Sequence, residues 1–455
     1  MATEAIARAA APSPPGPRYP TPFHFLAAFR GDPIRLLCDA FREHGDVVRF
    51  RMPLANAYLL AHPDAIAHVL EDNRENYWKG RVFRRLVPYI GEGLLLSEGE
   101  LWQRQRRLCQ PAFRRSRIQA VEERMTERAD ALVERWLARR ERPLDAGAEM
   151  SRLALDLVTR SLFGSRGLDD FGELRWAMQV ALEFSNDLFN RYFAPLRWLP
   201  TPRMLRVRRA AAVQDRIFER LIAEQRAAGG EGESLLADLL AARDDATSEG
   251  MSDVQLRAEL VTFMSAGHET TALALTWTWY LLALHPEAEA RLHAELGSVL
   301  GGRRPTTRDL PRLPYTRWVI QESLRLFPPA WALPRESLGP DEIGGYRIEK
   351  RSNVFILPYL THRHPELWER PAAFWPERFD PERSRGRHRL AYLPFGAGPR
   401  SCIGASFAML EMQLALATIA RRVRLELATA EPVVPVPVVT LRPRHPIPMW
   451  VRPRD

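Results

Sequence analysis

From Ser252 to His285 the chain keeps an unbroken helical periodicity, and Pro286 ends it. Ser252 or Asp253 is placed to cap the start. About 32 residues at ~1.5 Å per residue make a rod of about 48 Å, the width of a whole domain. Such a rod needs other helices around it, and from about residue 100 to 300 apolar residues do recur at spacings of three and four. The run ALALTWTWYLLAL within it is only 13 residues long, too short to cross a bilayer, so it reads as core. Strand patterns are few. VVRFRMPLANAYLL (47–60) reads as a hairpin over a Pro/Asn turn, NVFILPYL (353–360) as a strand, and the Val/Pro-rich tail after a last helix (405–422) as β-like. No repeat and no clean linker is visible. The expected fold class is mainly α with minor β sheets: one large domain over residues 21–455, after a flexible Pro-rich lead over 1–20. YFAPLRWLPTP (192–202) interrupts the helices with three prolines. It reads equally as a buried inter-helix loop or as a mobile lid over an apolar pocket.

Charge and cysteine usage narrow the class. The 455 residues carry 65 basic and 56 acidic side chains, a net charge of +9, with Lys79 and Lys350 the only lysines. Genomic base composition accounts for the arginine skew, and a basic surface favours acidic partners. Three scattered cysteines (Cys38, Cys109 and Cys402) make no disulfide framework and suit a reducing cytosol. Glu4 and Arg8 interrupt the N-terminal alanines, so no signal peptide or membrane anchor is expected there. The expectation is a soluble, cytoplasmic monomer with no nucleic-acid partner.

Three stretches carry chemistry. In AGHETT (266–271), Gly267 costs ~1 kcal/mol in a helix interior relative to alanine. Its missing side chain would open a groove for a small ligand, beside a carboxyl (Glu269) and a hydroxyl (Thr270) suited to relaying protons. Thr270 can turn its hydroxyl onto a carbonyl one turn back. A kinked core helix with a solvated glutamate is the plainer alternative. His268 has no partner at i+4 and reads as an ordinary polar helix residue. In VIQESLRLFPP (319–329), Glu322 and Arg325 share a helix face at i,i+3, with apolar flanks that suggest burial. Buried charges need further partners, and Arg378 in PERF (376–379) is the candidate.

The third stretch, PFGAGPRSCIG (394–404), presents one cysteine at the mouth of a helix behind a glycine-rich loop. Zinc would want about four ligands, and none stands near. A nucleophilic thiol would want a base within reach, which the sequence leaves open. Haem iron needs only one axial ligand from this side. A helix N-terminus favours thiolate over thiol at Cys402. Gly396 and Gly398 allow the backbone to turn tightly against a flat cofactor, and Arg400 could meet an anionic group on it.

FGAGPRSCIG resembles the cysteine-ligand loop of the haem-thiolate monooxygenases, the cytochrome P450 family, through Phe395, Gly398, Arg400, Cys402 and Gly404. AGHETT resembles the family's oxygen-binding helix motif, ESLR its Glu-x-x-Arg motif and PERF its meander motif, in the family's order. The likeness runs from about residue 20 to the end. It implies one α-rich domain with haem b between the long helix and the cysteine loop. Cys402 would be the axial ligand to iron, with Ala266, Gly267, Phe395, Gly396 and Gly404 beside the cofactor. WQRQR (102–106) matches the family's helix that contributes Trp102 and Arg106 to the haem propionates, as do Arg335 (in LPRES) and Arg400. Arginine offers carboxylates a rigid, charge-assisted fork. Glu322, Arg325 and Arg378 would form a buried structural network.

By the same resemblance, one atom of dioxygen enters a C–H bond or an alkene and the other leaves as water, with Glu269 and Thr270 relaying protons. The short stretch after Cys402 leaves no room for a reductase, which implies an external ferredoxin or flavodoxin whose reductase uses NAD(P)H. The arginines of RQRRLCQPAFRRSR (104–117) could dock that acidic partner, or could simply form a solvated basic face. Leu95, Phe263, Ser265, Ala266, Ala330, Trp331 and Leu333 would face the substrate, and no charged anchor stands among them. A lipophilic substrate follows: fatty acids first, then terpenoids, steroids or polyketide-type compounds. A haem-thiolate sensor, which needs no proton relay, and a haem-free cysteine hydrolase or acyltransferase are the other classes.

Overall fold

The computed structural model of the protein describes residues 11–51, 56–114, 122–164, 171–190, 201–229, 232 and 234–454. The chain is mainly helical with small sheets, and it forms two compact units. One comprises Met1–Arg81, Trp331–Pro371 and Arg387–Ser401; the other comprises Val82–Ala330, Ala372–Gly386 and Cys402–Asp455.

The first unit is built on a five-stranded sheet. Its strands are β1 (Val47–Arg51), β2 (Asn56–Leu60), β3 (Tyr77–Trp78), β4 (Leu333–Ser337) and β5 (Asn353–Ile356), in the order β1-β2-β5-β4-β3. β1 and β2 pair antiparallel with Val47 opposite Leu60, and β2 runs parallel to β5 with Ala57 opposite Asn353. The turn expected between β1 and β2 falls largely on 52–55, outside the described residues. Ala57, Tyr58, Leu59 and Leu60 are all buried, because both faces of the strand are covered. The Pro-rich lead is tied down over part of its length. The carbonyls of Pro12 and Pro15 accept the N–H groups of Arg347 and Arg49 at 2.9 and 2.8 Å. Proline has no N–H to donate but keeps its carbonyl, so this segment joins the edge of β1 as an acceptor. Residues 1–10 of the expected flexible lead lie outside the described residues.

The same unit fixes the approach to the cysteine loop. Ala397 packs into a core with Leu70, Leu390, Leu393, Val354 and Ile356. Gly398 has φ +66°, and a Cβ there would collide with the Leu70 carbonyl. Next to Leu70, the Glu71 carboxylate takes a two-pronged ion pair from Arg389 (one arm 2.7 Å) and accepts the Gly398 N–H. Arg389 holds the Glu71 carboxyl below its ordinary range. Upstream, Nε2 of fully buried His362 accepts the Leu393 N–H at 2.9 Å.

The second unit is helical, its main members being α1 (Gly99–Cys109), α2 (Ala146–Phe163), α3 (Phe171–Asn190), α4 (Asp253–Leu284), α5 (Pro314–Leu326) and α6 (Ala405–Ala420). α4 is the long helix. Ser252 caps it through a reciprocal box with Gln255, and it stops at His285 before Pro286. A short hairpin, β6 (Pro435–Pro437) and β7 (Leu441–Pro443), lies near the C-terminus. Trp277 of α4 stacks on Phe327 with ring centroids 4.1 Å apart and donates its indole N–H to the Leu441 carbonyl at 3.0 Å. Leu155, Val158, Leu162 and Phe163 of α2 form one core with Leu256, Leu260, Phe263 and Met264 of α4. Among the described residues no helix is long and apolar enough to cross a membrane.

Glu322 and Arg325 on α5 meet in a two-pronged pair at 2.7 and 2.8 Å, both completely buried. Arg378 reaches the same carboxylate at 3.0 Å, and the Trp375 N–H donates to it at 2.8 Å. Arg325 also donates to the Ala373 carbonyl at 2.9 Å. One carboxylate thus serves as shared counter-charge to two buried guanidinium groups. Removing it by Glu322→Ala should lower unfolding free energy by roughly 3–5 kcal/mol, since two buried cations lose their counter-charge. Denaturant titration measures this, and an unshifted midpoint would contradict it. Glu71→Ala should speed amide hydrogen exchange at Gly398 by tenfold or more (about 1.4 kcal/mol), and Glu71→Gln, which keeps an acceptor, by less.

Candidate functional site

Cys402 precedes α6, whose first N–H groups have no helical partner. One of them, on Gly404, donates to the Cys402 sulfur. Arg106 of α1 lies within electrostatic reach of the same sulfur. Both interactions favour thiolate, yet burial outweighs them and raises the thiol above its ordinary pKa. The helix end alone therefore does not keep Cys402 ionised, contrary to the simple expectation. The residue is nevertheless exposed. A group surrounded closely enough to be desolvated, yet open at its surface, is held for a ligand rather than for packing.

The surroundings fit a single-sulfur haem ligand. Among the described residues no group of three or more His, Cys, Asp or Glu side chains could hold a metal ion, so iron at Cys402 would need a macrocycle to complete its coordination. The groups acting on the sulfur are Arg106 and the Gly404 N–H, with no histidine or carboxylate among them, which disfavours a base-activated nucleophile. Glu411, on α6 behind the cysteine, is buried and its pKa is pushed up to about 8. It is neutral below that pH.

Trp102 and Arg106 lie one turn apart on α1. Trp102, Phe113 and Ile403 all pack on the core that contains Phe263. Phe113 had drawn no notice as a site residue. Its ring meets Phe263 edge-on with centroids 5.2 Å apart, and its Cε1 lies in van der Waals range of Gly404. It thereby links the cysteine end of α6 to the long helix.

α4 is buried from Ala258 to Met264 and again from Thr271, apart from Leu273, to Leu282, but between these runs Ala266 is exposed and its neighbours half-buried. The buried face of α4 is thus interrupted at Ala266. Gly267 lies where α4 meets α2. A Cβ there would press on Val158 Cγ2 at 3.0 Å, so its absence lets α2 pack closely. His268 is also turned to α2, bonded through Nε2 to the Ser151 hydroxyl at 2.8 Å, and burial lowers its pKa to about 4. Thr270 donates to the Ala266 carbonyl at 2.5 Å, the back-bond its position predicts. Glu269 accepts the Thr440 hydroxyl at 2.9 Å, and burial raises its pKa against the opposing effects of Thr440 and Arg442.

Of the expected substrate-facing residues, Leu95, Ser265 and Ala330 are half-buried and Phe263 is buried, all in the second unit. Trp331 (buried), Leu333 and Arg335 belong to the first. Leu333 and Arg335 share one face of β4, and Leu333 Cδ1 is 3.9 Å from where a Gly396 side chain would begin. Gly396 has φ +71°, while Phe395 and Arg400 are half-buried. Two arginines of the expected docking stretch are engaged within the second unit. Arg104 donates to the Gly250 carbonyl and Arg107 pairs with Asp244, each at 3.0 Å. Residues 115–117 of that stretch, and 192–200 of the expected lid, lie outside the described residues.

A sequence model of the family described as cytochrome P450 matches residues 14–447. The chain is 40% identical over 406 residues to cyclooctatin synthase of Streptomyces melanosporofaciens, covering 88% of this chain and 86% of that protein. It is 38% identical over 443 residues to cyclooctat-9-en-7-ol 5-monooxygenase of the same organism, covering 95% and 93%. Pentalenene oxygenase of Streptomyces avermitilis is 34% identical over 424 residues, covering 92% and 90%. Among solved structures, a cytochrome P450DA heme domain matches with TM-score 0.88 at 28% identity, over 98% of this chain and 99% of that one. A lone accessible sulfur at a helix mouth, the Glu322 network and these similarities agree: the chain belongs to the cytochrome P450 family and is a monooxygenase.

Proposed function

We propose that the protein binds haem b through Cys402 and uses dioxygen to oxidise a lipophilic, cyclic terpenoid-type substrate. The observation that carries the proposal is Cys402 itself: one exposed sulfur, touched by the Gly404 N–H and near Arg106, where the described residues form no metal-binding cluster of three or more His, Cys, Asp or Glu. When bound, haem activates dioxygen, so that two electrons and two protons accompany insertion of one oxygen atom into substrate and release of the other as water. Trp102, Arg106, Arg335 and Arg400 would hold the propionates, and Ala266, Gly267, Phe395, Gly396 and Gly404 would lie against the ring.

The remaining chemistry is proton delivery. The raised pKa of Glu269 lets its carboxyl hold a proton over part of the neutral range. Thr270 spends its single hydrogen on Ala266 and keeps oxygen lone pairs free to accept one. A proton can pass from Glu269 through water to Thr270, whose own hydrogen is released when its hydroxyl turns off the Ala266 carbonyl. Electrons would come from a separate ferredoxin or flavodoxin whose reductase uses NAD(P)H.

Two observations favour a terpenoid over a fatty acid. Leu95, Phe263, Ser265, Ala266, Ala330, Trp331 and Leu333 include no cation, and a carboxylate brought among them would lack a partner. The relatives are named for cyclooctatin, cyclooctat-9-en-7-ol and pentalenene, and the last two names denote unsaturated compounds with no acid group.

Reduction under carbon monoxide should give the strongly red-shifted Soret band of thiolate-ligated haem, and Cys402→Ser should abolish it; a colourless protein would overturn the proposal. Titration should give larger Soret shifts with cyclic terpene hydrocarbons and alcohols than with fatty acids, and the reverse ranking would restore the fatty-acid class. Thr270→Ala should keep haem and the carbon monoxide band but divert electrons to peroxide, lowering product formed per NAD(P)H by about tenfold or more. Unchanged coupling would remove Thr270 from the relay.

A further inference from the structure

Glu269 sits on the long helix, yet its carboxyl is held from the far end of the chain. Its Oε1 accepts the Thr440 hydroxyl at 2.9 Å. Thr440 is in the turn between β6 and β7, and it is buried. That turn is fixed on every side. The Val438 N–H donates to the Thr440 carbonyl at 3.1 Å and closes the tip. The Val439 N–H donates to Oδ1 of buried Asn186 on α3 at 3.2 Å. At the base, the Leu441 N–H donates to the Pro329 carbonyl and its own carbonyl accepts the Trp277 indole, each at 3.0 Å. A flexible tip would gain little by touching one carboxylate. A tip pinned by α3, α4 and the segment after α5 can set where that carboxylate stands.

We infer that Thr440 is a positioning residue for Glu269, binding Oε1 so that Oε2 is the oxygen that takes up and releases the relayed proton. A glutamate has three side-chain torsions and loses appreciable entropy when fixed in one rotamer. The Thr440 hydroxyl has one hydrogen, and donating it to Oε1 leaves the carboxyl proton to Oε2. The charged or titratable groups around the carboxyl are Arg442 on β7 and His268 on α4. The first favours ionisation of Glu269, and the second is neutral above about pH 4. Thr440 also joins the relay mechanically to α3, through Val439 and Asn186. Thr440 has this role only if Glu269 is the relay group, as proposed above.

The test compares Thr440→Val, which keeps shape and removes the hydroxyl, with Thr440→Ser, which restores it. In the holoenzyme, the infrared carboxyl and carboxylate bands of Glu269 are those lost in Glu269→Gln. Thr440→Val should move the carboxyl band to higher frequency and raise its titration midpoint by roughly one pH unit, because a hydrogen bond to the ionised form is lost. Thr440→Ser should return both toward the parent values. The carbon monoxide band and the unfolding midpoint should stay within error in both variants. Peroxide formed per NAD(P)H, with cyclooctat-9-en-7-ol as probe, should rise about two- to tenfold in Thr440→Val and not in Thr440→Ser. Unmoved bands and midpoint in Thr440→Val would overturn the positioning role. A leak in Glu269→Gln without one in Thr440→Val would also overturn it while leaving the relay intact. No leak in Glu269→Gln would instead remove the relay itself.

Discussion

The charge on one sulfur sets the terms for the rest of this structure. A thiolate inside protein is costly unless a counter-charge or hydrogen-bond donors face it. Around Cys402 the chain supplies one N–H from Gly404 and one nearby guanidinium from Arg106, and burial still prevails. In the proposed haem complex, coordination would supply the remaining stabilisation, since a metal-bound thiol ionises outright. Glu411, the buried acid on the helix that follows the cysteine, is held neutral by its burial below about pH 8.

The long helix divides its labour residue by residue. Gly267 and His268 face α2, one by having no side chain and the other by bonding Ser151. Ala266 is exposed, Thr270 turns its hydroxyl onto the Ala266 carbonyl, and Glu269 accepts the Thr440 hydroxyl. Four successive roles in five residues are feasible because a helix turns through all its faces in that distance. The cost of glycine in the interior, ~1 kcal/mol, is offset at least in part by the close packing of Val158 and its neighbours.

What could be read from the chain follows the range of the interaction. The ends of α4 were legible because caps and stops are local: Ser252 with Gln255, and Pro286 after His285. The Glu322–Arg325 pair was legible at i,i+3, and Arg378 came from the resemblance of PERF, not from spacing. Gly398 read as a turn residue, but its collision with Leu70 did not, since nothing in the loop specifies what passes beneath it. Glu71, Phe113 and Thr440 carried no sequence signal at all. Each acts on a partner far along the chain, and a threonine in a Val/Pro-rich tail looks like any strand residue until the fold brings it to Glu269. The proline lead shows the same limit: composition suggests freedom and is silent on the carbonyls of Pro12 and Pro15, which accept N–H groups of Arg347 and Arg49.

The same contrast explains why reaction class was easier to reach than substrate. Oxygen chemistry needs particular side chains at particular places, so it leaves motifs. An apolar pocket selects mainly by shape, and one methylene more or less changes binding by only ~1–3 kcal/mol. None of the seven expected positions, Leu95, Phe263 and Leu333 among them, is therefore diagnostic by itself. A fatty acid would break this degeneracy, because its carboxylate demands a cation or several donors. The absence of a cation from the expected substrate-facing set is thus more informative than any apolar residue present in it. It favours substrates whose polar groups are few and uncharged, among which shape would discriminate.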